Sequence, residues 1–255
     1  MNIISKDTKK IFENVNDEIE FSEVSIIITL YNYAHTIAET LDTLLDQTLS
    51  GLELVVIDDC SKDDGLEVVN SWMKKNAGHF HSIKLVQHVE NGGLSIARNS
   101  AILSTKGKYV FTLDADNHLY PRCLEILKEA LDESPNYAFS YSILERFEAD
   151  SGLMGTLRWD GGLLANGNYI DAMVLFRRSQ WERVGGYTVM KGIGWEDYEI
   201  WLKLYEEDMQ GLWVPQILAR YRVHPGSMLN SQTNTDVEQI KLKKQLRELH
   251  DWINV

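Results

Sequence analysis

Between residues 24 and 131, short apolar runs and amphipathic stretches take turns. Runs rich in Val and Ile cover 24–30, 52–57, 83–86 and 109–113, and stretches with apolar residues at helical spacing cover 37–45, 66–73, 94–103 and 124–131. Each apolar run is short for a helix and lacks the polar alternation of a half-solvated strand, so it reads as a strand covered on both faces. Strands alternating with helical segments form βαβ units, which build a parallel sheet with helices on both sides. The expected class is therefore α/β, a mostly parallel sheet flanked by helices. Ligands of such sheets gather at the carboxyl ends of the strands, so the residues after each run carry the functional question.

Past Pro135 the alternation fades, and 148–168 is rich in Gly, which predicts a less regular second half joined to the first without a linker. Within it a strand is expected at 173–177, a helix at 196–207 and a strand at 218–223. Residues 1–20 read as a polar leader, with Ile11, Val15 and Ile19 at the four-residue spacing of one helix. The tail from Thr235 carries Val237, Ile240, Leu246, Leu249 and Ile253 between charges, an amphipathic helix expected to pack on its own domain. A homo-oligomer contact through that helix is the sharper alternative.

Charge and cysteine usage narrow the partners. There are 25 Lys and Arg against 38 Asp and Glu, a formal net charge of −13. Such a surface repels phosphate backbones and anionic headgroups, which argues against nucleic acid or a membrane surface as the main partner. An anionic ligand must then be met locally by a metal ion, a helix N-terminus or single arginines. Cys60 and Cys123 lie far apart and suggest neither a disulfide framework nor a zinc ribbon. With no apolar stretch long enough to span a bilayer, the expectation is a soluble cytoplasmic protein.

At the first strand end, Thr29-Leu30-Tyr31-Asn32 offers none of the closely spaced glycines of a dinucleotide fold. It offers instead the ring of Tyr31, either a platform for a flat base or a cover for the strand end. The second strand ends in Asp58-Asp59-Cys60-Ser61-Lys62-Asp63-Asp64, read as Asp59 facing a ligand and Asp63 and Asp64 capping the next helix. The fourth runs into Asp114-Ala115-Asp116-Asn117, where residues two apart on an extended chain aim two carboxylates at one spot. Oxygen ligands of that kind suit Mg²⁺ or Mn²⁺ completed by substrate phosphates. Between these runs, Asn91-Gly92-Gly93 opens a helix bearing Arg98, which either faces a diphosphate or pairs with Asp114 or Asp116.

In the second half, Gly194-Trp195-Glu196-Asp197 places adjacent acids at a helix start, ordinarily a capping feature. A transfer reaction also needs a carboxylate to take the acceptor's hydroxyl proton, and this is where one is expected. Trp159 and Trp195 could shape an acceptor cleft or simply fill core.

Together these segments resemble the family 2 glycosyltransferases, inverting enzymes of the GT-A fold. The matching pieces are Val24 to Asn32, Val56 to Ser61, Asn91-Gly92-Gly93 with Ala97-Arg98-Asn99, and Leu113 to Asn117. To these are added Gly185-Gly186-Tyr187, Trp195 to Glu199 and Tyr221 to Ser227, in family order. The resemblance implies a leader at 1–21, a GT-A domain at 22–230 and a C-terminal helix at 231–255. The domain divides into a nucleotide-sugar half, 22–117, and an acceptor half, 118–230. It further implies that Thr29, Tyr31 and Asp59 contact the nucleoside, that Asp114 lies near the ribose and that Asp116 holds the metal. His224 matches a position that in some members ligates metal or contacts the diphosphate, and Asp197 matches the catalytic base. Arg98 is placed on the donor side, Trp195 and Glu196 on the acceptor side. Cys60 stands where glycine is frequent, and Asn117 where aspartate is common.

The implied reaction is metal-dependent (Mn²⁺ or Mg²⁺) inverting transfer from a nucleoside-diphosphate sugar, UDP-sugar preferred, to a carbohydrate or glycoconjugate hydroxyl. Two alternatives stand beside it, a sugar-nucleotide nucleotidyltransferase and a non-catalytic nucleotide-sugar or glycan binding module.

Overall fold

The computed structural model describes residues 3–228, 231 and 233–255. Its first half is built from β1 (Thr8–Val15), β2 (Val24–Leu30), α1 (Ile37–Leu45), β3 (Glu53–Asp58), α2 (Gly65–Asn76), β4 (Ser82–His88), α3 (Leu94–Leu103) and β5 (Tyr109–Asp114). The second half adds β6 (His118–Leu119), α4 (Cys123–Glu133), β7 (Phe139–Glu148), β8 (Gly152–Met154), α5 (Gly161–Leu164), β9 (Val174–Arg177), α6 (Arg178–Arg183), α7 (Glu196–Glu206), β10 (Gly211–Val223) and α8 (Asp236–Leu249).

Among the described residues these strands form one sheet in the order β1-β4-β3-β2-β5-β9-β7-β10-β6, with β8 on β7. The β4-β3-β2-β5 core is parallel throughout. Its registers set Thr29 beside Asp114 and Leu30 beside Asp58, so the chemically interesting residues share one edge. Alternate residues of β2 point to opposite faces: Ile26 and Ile28 join the core with α1, α2 and α4, while Ile27 joins the core with α3, α6 and α7. Burial on both faces explains the continuous apolar runs. In the second half β9 is antiparallel to both β5 and β7, and β7 is parallel to β10.

Three expectations are corrected. The leader forms no helix; it contributes β1, antiparallel to β4. Val15 is 50% exposed, and within β1 only Ile11 and Phe12 pack on the core, so the four-residue spacing marked no buried face. The backbone groups of the β4 edge had to be paired, and this segment pairs them. The second half is also more regular than its sequence, because β7 buries Ser140 and Ser142 among its apolar residues. Ser140 Oγ donates to Leu127 O at 2.9 Å, which lets a hydroxyl sit in the core. In β10, register irregularities between Val214 and Ala219 accommodate Pro215, and hide a 13-residue strand behind what reads as a short one. The tail is as expected: α8 packs on its own domain through Leu242 and Leu246, while Val237, Ile240 and Leu249 are exposed. Among the described residues no helix is long and apolar enough to cross a membrane.

Candidate active site

Tyr31 follows β2 directly and is 44% exposed. The loops after β2 and β3 are tied together: Asn32 N donates to Ser61 Oγ at 3.1 Å, and Lys62 N donates to Asn32 Oδ1 at 2.7 Å. Asn32 and Cys60 both have positive φ, 62° and 64°, a backbone in which side chains are strained and glycine is not. That is a physical reason for glycine to be frequent at the Cys60 position.

Asp59, expected to face a ligand, is taken up by the protein's own groups. It is 3% exposed and accepts from Gly92 N at 2.7 Å, Gly93 N at 2.8 Å and His88 Nδ1 at 2.6 Å. Its carboxylate is the clamp of the Asn91–Gly93 turn. Of the two expected caps, Asp63 accepts from Gly65 N at 3.1 Å, whereas Asp64 occupies the N-cap of α2 without a side-chain bond.

The chain turns sharply after β5, so Asp114 and Asp116 take different partners instead of converging on one spot. Asp114 accepts from Arg98 Nη2 at 2.8 Å, and Asp116 Oδ2 lies 3.1 Å from His224 Nε2. The turn is pinned on both sides. Thr36 Oγ1 donates to Ala115 O at 3.0 Å, Arg222 Nε donates to Asp116 O at 2.9 Å, and Arg222 N donates to Asn117 Oδ1 at 2.9 Å. Burial and the charge of Asp114 push the Asp116 carboxyl up to about 6, against the pull of His224. The rings of Tyr33 and His35 close the same corner, with centroids 6.0 and 6.4 Å from that of His224.

Arg98 is not a donor contact in this arrangement. It is 2% exposed, its Nη1 donates to Glu196 Oε1 at 2.5 Å, and its face covers Tyr187 at 5.5 Å. Of the partners expected for it, Asp114 is present and Asp116 is not. Glu196, expected on the acceptor side, is buried and spent on this pair. Burial alone would lower Arg98, but Glu196 and then Asp114 hold it fully charged. The neighbouring Asn99 adds a second link between the halves: it accepts from Tyr187 N at 2.8 Å and donates to Tyr187 O at 2.9 Å. Gly186, at φ 71°, is tight against that amide, since a Cβ there would stand 2.9 Å from Asn99 Oδ1.

At the start of α7, Trp195 holds the N-cap at φ 61° and meets Tyr198 edge-on at 6.0 Å. Asp197 follows, half-buried, accepting from Tyr198 N at 2.8 Å and from Asn168 Nδ2 at 2.9 Å. Burial, then Glu196, push its carboxyl up to about 7. Asp171, on the bend before β9, is pushed up to about 8 by burial, then by Asp114. It arrives there because β9 runs antiparallel to β5, so the start of β9 lies at the edge where β5 ends. Tyr221 sits among Asp171, Asp114, Asp116 and Asp197, and its phenol is raised by burial first and then by those charges. Sequence reasoning assigned no role to Asn168, Asp171, Tyr221 or Arg222; Tyr221 and Arg222 lie within a motif, while Asn168 and Asp171 carry no local signal.

Among the described residues no cluster of three or more His, Cys, Asp or Glu is poised to hold a metal. Asp116 and His224 present one carboxylate and one imidazole to the same point, a donor pair that suits a divalent cation whose other ligands are substrate phosphates and water.

The family model described as glycosyl transferase family 2 matches residues 25–191. The putative glycosyltransferase EpsE of Bacillus subtilis (strain 168) is 27% identical over 206 residues, covering 78% of this chain and 73% of that protein. Two further curated glycosyltransferases are longer, and the chain spans 31% and 29% of their lengths. Among solved structures, S. aureus TarS 1-349 in complex with UDP-GlcNAc aligns at TM-score 0.70 and 19% identity, over 88% of this chain and 70% of that one. The mannosyltransferase PcManGT from Pyrobaculum calidifontis, in complex with GDP-Man and Mn2+, aligns at TM-score 0.63 and 20% identity, over 82% of this chain and 59% of that one. Both have the fold seen here.

Proposed function

This chain belongs to glycosyl transferase family 2, and from that premise we propose metal-dependent, inverting transfer of a sugar from a nucleoside diphosphate, UDP preferred, to a carbohydrate or glycoconjugate hydroxyl. One observation carries the reading: Asp116 with His224, and Asp197 with its raised pKa, face the same edge from two halves locked together by Arg98. Support for the donor comes from the nucleotide sugars in the TarS and PcManGT complexes, and for the cation from the Mn2+ in the second. Membership of the family sets aside the nucleotidyltransferase alternative.

In this mechanism Tyr31 stacks on the base, with Thr29 beside it on the same edge, and Asp114 stands by the ribose. Asp116 and His224 would hold the divalent cation, which when bound would neutralise charge on the departing diphosphate. Asp197 takes the proton of the acceptor hydroxyl. The acceptor oxygen forms its bond to the anomeric carbon from the far side as the bond to the diphosphate breaks, and the electron pair leaves with the nucleoside diphosphate. A carboxyl raised to about 7 suits the task, because it gains basicity and is still substantially ionised near neutral pH.

The direct test is release of nucleoside diphosphate from UDP-glucose, UDP-N-acetylglucosamine and GDP-mannose, each with Mn²⁺ and with EDTA. The expected outcome is Mn²⁺-dependent release with a UDP-sugar. Equal release in EDTA would contradict the role of the cation, and release from GDP-mannose alone would contradict the preferred base.

A further inference from the structure

The bend between α5 and β9 is exposed at Asn168, yet both ends of that amide are committed. Its Oδ1 accepts from Ile170 N at 3.3 Å, which assigns the amide and leaves Nδ2 aimed at α7, where it donates to Asp197 Oδ2 at 2.9 Å. The bend is fastened to the same helix at two other points. Trp201 Nε1 donates to Ile170 O at 3.1 Å, and the Tyr198 hydroxyl donates to Leu164 O. The other oxygen of Asp197 accepts from Tyr198 N. Among the described residues Asn168 makes the side-chain hydrogen bond that Asp197 receives, and the bend that carries it is tied to α7 through Ile170 and, at the end of α5, through Leu164.

We propose that Asn168 is a positioning residue for Asp197, fixing the rotation of its carboxylate so that the remaining lone pairs face the acceptor hydroxyl. The inference rests on Asp197 being the base. A donor to a carboxylate also favours its ionised form. Asn168, Tyr198 N and Arg98 of α3 therefore work in one direction, while burial, Glu196 on the same helix and Asp171 on the bend work in the other. Tyr221 of β10 and Tyr187, ahead of α7, face the same carboxylate as neutral phenols.

The test is a ¹³C NMR titration of the aspartate carboxyls in the whole chain, with the Asp197 signal identified by its loss in Asp197→Asn. In Asn168→Ala the midpoint of Asp197 is expected to move up. In Asn168→Asp it should move up further, since a like charge replaces a donor. UDP affinity should be unchanged in Asn168→Ala, because the amide faces the base and not the donor. Asn168 is exposed, and the other carboxyl signals of the same spectra report whether each variant is folded. An Asp197 midpoint that is the same in all three proteins overturns the proposal. A shifted midpoint together with full turnover in Asp197→Asn would instead remove Asp197 from the role of base, leaving the hydrogen bond without a catalytic purpose.

Discussion

In the first 117 residues, the groups that reach the ligand edge sit at the end of a parallel strand or within the turn that follows it; beyond that point the site is assembled from a bend, a helix N-terminus and the far end of a long strand. Tyr31, Asp114 and Asp116 are placed by β2 and β5, whose neighbours pair with them residue for residue. Asp197, Asp171 and His224 are placed by contacts remote in sequence. Asn168 holds Asp197, the antiparallel seat of β9 on β5 delivers Asp171, and Asp116 holds His224. The first-half edge is thus fixed by the sheet, and the second-half residues must be fixed to it, which is what the buried Arg98, between Glu196 and Asp114, accomplishes.

The strongest way to separate the halves is Asp197→Asn. Loss of a general base should lower turnover by about 10²–10⁴-fold while UDP affinity stays at the wild-type value. In the wild type, kcat/KM should rise with pH through about 7, as the Asp197 carboxyl ionises, and the variant should lack that limb. The same raised carboxyl stays protonated in the folded protein after it ionises in the unfolded one. The wild type therefore loses stability between about pH 4 and pH 7, and the amide variant should be the more stable of the two above that window, read by urea denaturation. Equal turnover would place the acceptor chemistry elsewhere.

Cutting the link is the next largest effect. Arg98→Met leaves Glu196 and Asp114 without their cation, and breaking a buried pair of this kind costs about 3–5 kcal/mol, readable by urea denaturation. A loss below about 1 kcal/mol would mean that the two halves are held by their apolar cores alone. A smaller effect confined to the donor half is expected from Tyr31→Ala, which should weaken UDP by about 1–3 kcal/mol in calorimetry and leave the urea midpoint in place. Unchanged affinity would make Tyr31 a cover for the strand end. Smallest is Cys60→Gly. At φ 64° a side chain carries about 1–2 kcal/mol of strain, and glycine returns roughly 0.5–1 of that as unfolded-state entropy, so a net gain of up to about 1 kcal/mol is expected. A clear loss would mean that the bond from Cys60 Sγ to His88 O at 3.1 Å outweighs the strain.

The contrast also explains what could be read from the chain. β2, α1, α3 and β5 were legible to within a residue because a strand buried on both faces has to be apolar throughout, and the helices beside it must be amphipathic. Asp116, Asp197 and His224 were singled out through motif order, and the structure brings Asp116 and His224 together. The positions of Asp59 and Glu196 were not legible, since nothing local distinguishes a carboxylate that clamps a turn or balances a buried arginine from one that faces a ligand. β7 was hidden by its buried serines, β1 by a chance spacing of apolar residues, and Asn168 and Asp171 by the fact that their partners lie on elements distant in sequence.

The central claim is that Asp116, with His224, holds a divalent cation against the donor's diphosphate, and calorimetry of UDP binding tests it most directly. Mn²⁺ should tighten UDP to the wild type by at least about tenfold relative to EDTA, roughly 1.4 kcal/mol, and that gain should vanish in Asp116→Ala. A gain of the same size in Asp116→Ala would contradict the account.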